Sequence, residues 1–280
     1  MRASSNGIEL EYLVDGPATA PAVLLSHSLA TTMSMWKDQV PVLARDFRVI
    51  RYDMRGHGRS GVSPAPYDFT LLAADVVGLL DHLGIDRVAF VGLSIGGIIG
   101  QHLAIHHGDR LLCAVLCSTT SQISDQVRGV WDQRIAAVEA GGMESQTAST
   151  LERWFTAPYR AAQAETMTWV GDMVRTTPAA GFIGCGRAIQ GLDVAKDLGR
   201  IKVPTLVVPA DHDAGMPPAL SEAIHRGIAG SEFAVIAHAS HLSNIEQTAA
   251  FNAVVVSFLL KHLQVIPRPG SKRSRGAAPR

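Results

Sequence analysis

The period of apolar positions changes several times along the 280 residues, and each change marks an element. Residues 8–14 alternate apolar with polar side chains, the pattern of a half-buried strand. Ala22–Ser26 is a short apolar run of the kind a fully buried strand shows, and residues 47–52 read as a third strand. Over 70–83 the apolar residues fall at 72, 76, 79, 80 and 83, a helical stripe closed by Gly84. A strand at 88–91, an apolar helix from Ile95 to about His107 and a strand at 112–117 follow. From 121 to 200 no strand pattern occurs, and helical stretches are broken at Gly141-Gly142, Pro158 and Pro178. Strands resume at 205–209 and 233–236, and a last helix is predicted over 246–263. The pattern predicts an α/β core at 1–120 and 201–265, interrupted by an all-helical lid at 121–200. Residues 266–280 carry Pro, Gly, Ser and five basic side chains without an acid, and are expected to be a disordered basic tail.

Composition narrows the class. Hydrophobic residues make up 47% and charged residues 18%, with a formal net charge of zero, so nothing draws the chain toward nucleic acid or a membrane surface. No apolar run reaches the roughly 20 residues that span a bilayer, and Met1-Arg2-Ala3-Ser4-Ser5 lacks the apolar centre of a signal peptide. Three cysteines, Cys113, Cys117 and Cys185, are too few and too scattered for a disulfide framework or a zinc site. A cytoplasmic enzyme is the expectation.

Candidate chemistry starts at Gly92-Leu93-Ser94-Ile95-Gly96, a G-x-S-x-G between a predicted strand and a predicted helix. In that context it is a nucleophile elbow. The glycines admit a strained serine and close crossing of the backbone, and the Ile95 N–H points into the space the serine oxygen enters. A serine hydroxyl needs a base, the base needs a carboxylate, and behind such an elbow they follow in that chain as acid, then histidine. Asp211 and Asp213 lie in the loop after 205–209; His238 and His241 lie after 233–236. Asp213 sits further into its loop and His241 immediately before a helix start, which favours them, although His238 competes on spacing alone. The second oxyanion donor is expected in His27-Ser28-Leu29, with Leu29 N–H the candidate beside Ile95 N–H. His102 and His106 stand one turn apart, but residue 103 is Leu, so the H-E-x-x-H zinc pattern is absent and surface histidines are the reading.

Asp53-Met-Arg-Gly-His-Gly-Arg-Ser60 resembles the turn after an early strand of the α/β-hydrolase fold. Leu25-Ser-His-Ser-Leu-Ala-Thr-Thr-Met-Ser-Met-Trp36, Phe90-Val-Gly-Leu-Ser-Ile-Gly-Gly97 and His241-Leu-Ser-Asn-Ile-Glu-Gln247 resemble the 3-oxoadipate enol-lactonases. So do Trp131-Asp-Gln-Arg-Ile135, Trp154-Phe-Thr156 and Gly184-Cys185 inside the helical region, so the resemblance covers about residues 8–262. It implies an α/β-hydrolase fold with a mostly parallel sheet, flanking helices and a helical lid. It further implies a cofactor-free lactonase of the β-ketoadipate pathway, with Ser94 as nucleophile, Asp213 as acid and His241 as base. Two departures stand out: the acid loop reads Asp213-Ala-Gly-Met-Pro217 in place of a Pro-Ala-Thr-Pro-like segment, and Gly186 replaces a frequent second cysteine.

An enol-lactone of this kind carries a carboxylate, which needs a cation or a set of N–H donors in a partly dry pocket. Arg134, three residues after Trp131, and Arg187, beside Gly184-Cys185-Gly186, are the expected carboxylate ligands, with Trp131 as the apolar wall. Most arginines face solvent, which is the alternative for both. Other readings are an esterase or perhydrolase on the same scaffold, and a non-catalytic small-molecule receptor.

Overall fold

The computed structural model describes Met1–Leu263, so the expected tail at 266–280 lies outside the described residues. Eight strands form one sheet: β1 (Arg2–Ser5), β2 (Ile8–Asp15), β3 (Ala22–Ser26), β4 (Arg48–Tyr52), β5 (Val88–Leu93), β6 (Leu111–Cys117), β7 (Thr205–Val208) and β8 (Glu232–Phe233). Their order is β1-β2-β4-β3-β5-β6-β7-β8. The β1–β2 and β2–β4 pairs are antiparallel and every later pair is parallel. From β3 the chain crosses to β4 on one side and then to β5 on the other. That reversal opens a crevice at the carboxyl ends of β3 and β5, where open α/β sheets bind ligands.

Helices flank the sheet in the order α1 (Val40–Leu43), α2 (Phe69–His82), α3 (Ile95–His106), α4 (Asp125–Gly141), α5 (Glu144–Trp154), α6 (Ala157–Ala162), α7 (Ala164–Thr176), α8 (Ala179–Gln190), α9 (Pro218–Gly227), α10 (Ser243–Glu246) and α11 (Thr248–His262). The expected stripe at 70–83 is α2, capped by Asp68 Oδ1 accepting from Leu71 N at 2.7 Å. Between β6 and β7 the chain forms α4 to α8. β3, β5 and β7 are wholly buried, matching their continuous apolar sequence.

Three elements differ from the sequence expectation. β1 pairs through Ala3 with Leu10 and buries Ala3 and Ser5, a run too short and polar to announce itself. The expected strand at 233–236 is reduced to Glu232–Phe233 plus a bridge between Ala210 and Ile236. The last helix is two helices, because Gln247 leaves helical geometry at φ −127°. All three cysteines are free and buried. No described helix is long and apolar enough to cross a membrane.

A buried ion pair braces the loop after β4. Arg55 Nε and Nη2 meet the two oxygens of Asp75 on α2 at 2.8 and 2.6 Å, while Nη1 donates to Ser63 Oγ and Nη2 also donates to Asn6 O. Both side chains are at most 3% exposed. Removing one partner of such a pair strands the other charge, at about 3–5 kcal/mol. Asp75→Asn is therefore expected to lower the unfolding free energy by about that amount in urea titration; a change near zero would mean that the loop does not depend on the pair.

Candidate active site

Ser94 joins β5 to α3 with φ 60° and ψ −118°, a conformation that costs a non-glycine residue about 1–3 kcal/mol. The surroundings hold it there. Ser94 N donates to Cys117 O at 2.9 Å, and Thr119 Oγ1 donates to Ser94 O at 2.9 Å. The flanking glycines are required by contact: a Cβ on Gly92 would lie 2.2 Å from Gly96 O, and one on Gly96 would lie 2.3 Å from Ser26 O. α3 thus begins pressed against the end of β3, with the N–H of its first residue, Ile95, among the unpaired donors of a helix start.

The loop after β3 is built on two buried histidines. Met54 N donates to His27 Nε2 at 2.9 Å, so His27 carries its proton on Nδ1 and donates it to Ser28 O at 2.7 Å. Ala30 N donates to His57 Nε2 at 3.0 Å, and His57 Nδ1–H donates to Arg55 O at 3.1 Å. Ala30 adopts φ 57° there. These bonds secure the backbone on either side of Leu29, whose N–H has no partner among the described residues.

Asp213 and His241 come together from separate loops. Asp213 Oδ2 accepts from His241 Nδ1 at 2.7 Å, and Asp213 Oδ1 accepts from Gly215 N and Met216 N at 3.0 and 2.8 Å. Both residues are buried. The unusual Asp213-Ala-Gly-Met segment therefore supplies the amides that orient the carboxylate. The Trp154 ring stacks on His241 with centroids 6.2 Å apart. The other two candidates lie apart: Asp211 Oδ1 meets the exposed His212 at 2.6 Å, and His238 is exposed with its ring beside His212.

Ser94, Ile95, Leu29, Asp213 and His241 line one cavity of about 290 Å³. Its other walls include Trp131, Arg134, Arg153 and Trp154 of the helices between β6 and β7. Val127 and Val130 of α4 form an exposed apolar rim. Arg134 reaches the cavity, as expected, with its guanidinium carbon 4.2 Å from the Trp131 ring centroid. Arg187 does not: it is exposed on α8 and pairs with Asp132 at 2.9 Å. Its neighbours Gly186 and Cys185 face inward, which turns Arg187 to solvent. The sequence pattern did not point to Arg153, which lies in the last turn of α5, a polar helix whose buried positions are Gln146, Thr147, Thr150 and Trp154. Among the described residues no group of three His, Cys, Asp or Glu side chains is placed to hold a metal. His102 is half-buried against Phe69 and His106.

The α/β-hydrolase-fold model matches residues 21–248. The 3-oxoadipate enol-lactonase 2 of Acinetobacter baylyi is 35% identical over 254 residues, 90% of this chain and 93% of that protein. The chain belongs to the 3-oxoadipate enol-lactonase family of the α/β-hydrolase fold. By that membership it is a carboxylic ester hydrolase. The crystal structure of the enol-lactonase from Burkholderia xenovorans LB400 matches with a TM-score of 0.90 at 39% identity, over 92% of this chain and 99% of that one. A Variovorax paradoxus protein provisionally named the carbamate hydrolase RutD is 30% identical over 256 residues, 90% of this chain and 96% of its own. Where the enol-lactonase family often has a second cysteine, a Cβ on Gly186 would come within 3.3 Å of Trp131 Cε3, so the glycine lets the Trp131 wall sit close to α8.

Burial drives the His27 imidazole down to about 4 and that of His57 to about 3, the latter aided by the neighbouring His27 ring. A histidine whose folded pKa lies below its unfolded value of 6.5 contributes full stability above 6.5 and loses it as pH falls toward the folded value. The slope is about 1.4 kcal/mol per pH unit for each histidine. In His57→Gln, which keeps an acceptor for Ala30 N, the drop in melting temperature between pH 7 and pH 4.5 should be smaller than in the wild type. Equal drops would mean that His57 protonates freely in the folded protein.

Proposed function

We propose that the protein opens the ring of 3-oxoadipate enol-lactone to give 3-oxoadipate, in the breakdown of aromatic compounds. The observation that carries this reading is the buried Asp213–His241 pair lining one small cavity with Ser94, in a chain 35% identical to a 3-oxoadipate enol-lactonase. Ser94 Oγ attacks the lactone carbonyl carbon while His241 Nε2 takes its proton. Asp213 on Nδ1 fixes the tautomer and stabilises the imidazolium. The N–H groups of Leu29 and Ile95 receive the oxyanion, each such donor contributing on the order of 10²–10³ in rate. Collapse breaks the ring C–O bond and releases an enol oxygen at the far end of the same molecule, which takes the proton and tautomerises to the ketone. Water, deprotonated by His241, then cleaves the acyl-serine ester, and the proton returns to Ser94. Arg134, half-buried over the Trp131 ring, is the cation for the substrate carboxylate. None of these steps calls for a metal or organic cofactor.

A second ester-like substrate is favoured by one observation, the 30% identity to the Variovorax carbamate hydrolase. The same serine attack would serve it. Side-by-side turnover of the enol-lactone, a neutral p-nitrophenyl ester and a carbamate decides between them: preference for the lactone is expected, and absence of lactone turnover would reject the assignment.

Ser94→Ala and His241→Ala should each lower lactone turnover by a factor on the order of 10⁴ or more, and Asp213→Asn by about 10⁴, in proteins that remain folded by circular dichroism. Asp211→Asn and His238→Ala should retain most activity, because both side chains lie outside the cavity. A larger loss in His238→Ala than in His241→Ala would reverse the assignment of the base.

A further inference from the structure

The cavity holds more positive charge than its protein partners answer. Arg134 and Arg153 both line it, and neither forms an ion pair with a carboxylate among the described residues. Arg134 donates from Nε to Gln146 Oε1 at 3.1 Å, and Arg153 from Nη2 to Thr150 Oγ1 at 3.0 Å. A guanidinium has five N–H donors, so most of this pair's capacity is unspent. The cavity's one carboxylate, Asp213, is already occupied by His241, Gly215 and Met216. Two partly desolvated like charges on the wall of one small cavity are costly unless an anion joins them.

We propose that Arg153 is a second specificity-determining residue, which with Arg134 forms a two-guanidinium receptor for the acid group of the substrate. This rests on the reading above that Ser94 opens a small lactone bearing such a group. The aromatic faces of Trp131 and Phe182, with centroids 4.2 and 5.3 Å from the Arg134 guanidinium carbon, fix one fork. The other is carried by the last turn of α5, next to Trp154. Burial, with the Arg153 charge beside it, brings the Arg134 guanidinium down to about 9, and burial lowers Arg153 also. At neutral pH both remain cations. A carboxylate accepts from two forks at once, whereas a neutral ester gains nothing from the second charge.

Arg153 has a second connection that makes the test discriminating. Its carbonyl accepts from Ser240 Oγ at 2.9 Å and that of Trp154 accepts from Leu242 N at 3.2 Å, so the same segment supports the residues on both sides of His241. If that support were the sole role of the residue, substitution would harm all substrates alike. The measurement is therefore the ratio of kcat/KM for the anionic enol-lactone to that for p-nitrophenyl acetate, in the wild type, Arg153→Met and Arg153→Lys. Loss of one charge-assisted contact, about 1.5–3 kcal/mol, converts to a fall in the ratio of about 10- to 150-fold in Arg153→Met. Arg153→Lys, which keeps the charge but not the fork, should recover part of it. A parallel readout is the affinity for adipate by calorimetry, which Arg153→Met should weaken by a similar factor. An unchanged ratio together with unchanged adipate affinity overturns the proposal. A wild type that cleaves p-nitrophenyl acetate but not the lactone would reject the lactonase assignment alone, because adipate binding still reads out the arginine pair.

Discussion

Everything at this site depends on the crossing of three backbone segments around Ser94. The end of β3, the β5–α3 junction and the loop after β6 pack so tightly that Gly92 and Gly96 admit no side chain, and residue 94 is forced to positive φ. The strain is offset by the bonds from Ser94 N to Cys117 O and from Thr119 Oγ1 to Ser94 O. The same compression carries the Ile95 amide and the Leu29 loop to one cavity. The proposed nucleophile and its oxyanion donors are consequences of a single packing problem, solved by two glycines and a threonine.

A second layer stands behind the first. His27 and His57, buried and neutral, each use one ring nitrogen as acceptor from a backbone amide and the other as donor to a backbone carbonyl. The loop that carries His57 is in turn braced by the Arg55–Asp75 pair on α2. The Asp53-to-Ser60 turn is thereby a scaffold for the Leu29 loop.

Much of this was legible in the sequence because it depends on short-range requirements. The G-x-S-x-G motif has meaning between a strand and a helix, and the α2 stripe and the wholly buried β3 and β5 display their burial as apolar periodicity. The choice between His238 and His241 also follows from loop position: the former is exposed, the latter buried against Trp154. The lining of the helical region was less legible. Arg134 is announced by the apolar positions around it on α4, but Arg153 and Arg187 look alike in sequence, one in the cavity and the other in solvent. α5 buries Gln146, Thr147 and Thr150 ahead of Trp154, so no continuous apolar stripe marks its inner face. The division of the last helix at Gln247 and the stub that is β8 were hidden for a similar reason, since backbone geometry there follows from tertiary contacts and not from local pattern.

Glu246 has a mechanical consequence for traffic through the site. Its buried carboxylate accepts from Thr156 N and Oγ1, just past α5, and from Ser240 N, the residue before His241. With the two carbonyl contacts from Arg153 and Trp154, this bolts one end of the helical layer to the loop of His241. Lifting that end would turn His241 away from Asp213. The bolted end is therefore fixed to the Asp213–His241 pair, whereas the exposed valines on the cavity rim, Val127 and Val130, belong to α4, which none of these bonds joins. The cavity thus has an apolar margin on α4 and its two arginines further along the wall, on α4 and α5, so shape and charge are presented by different parts of one lining.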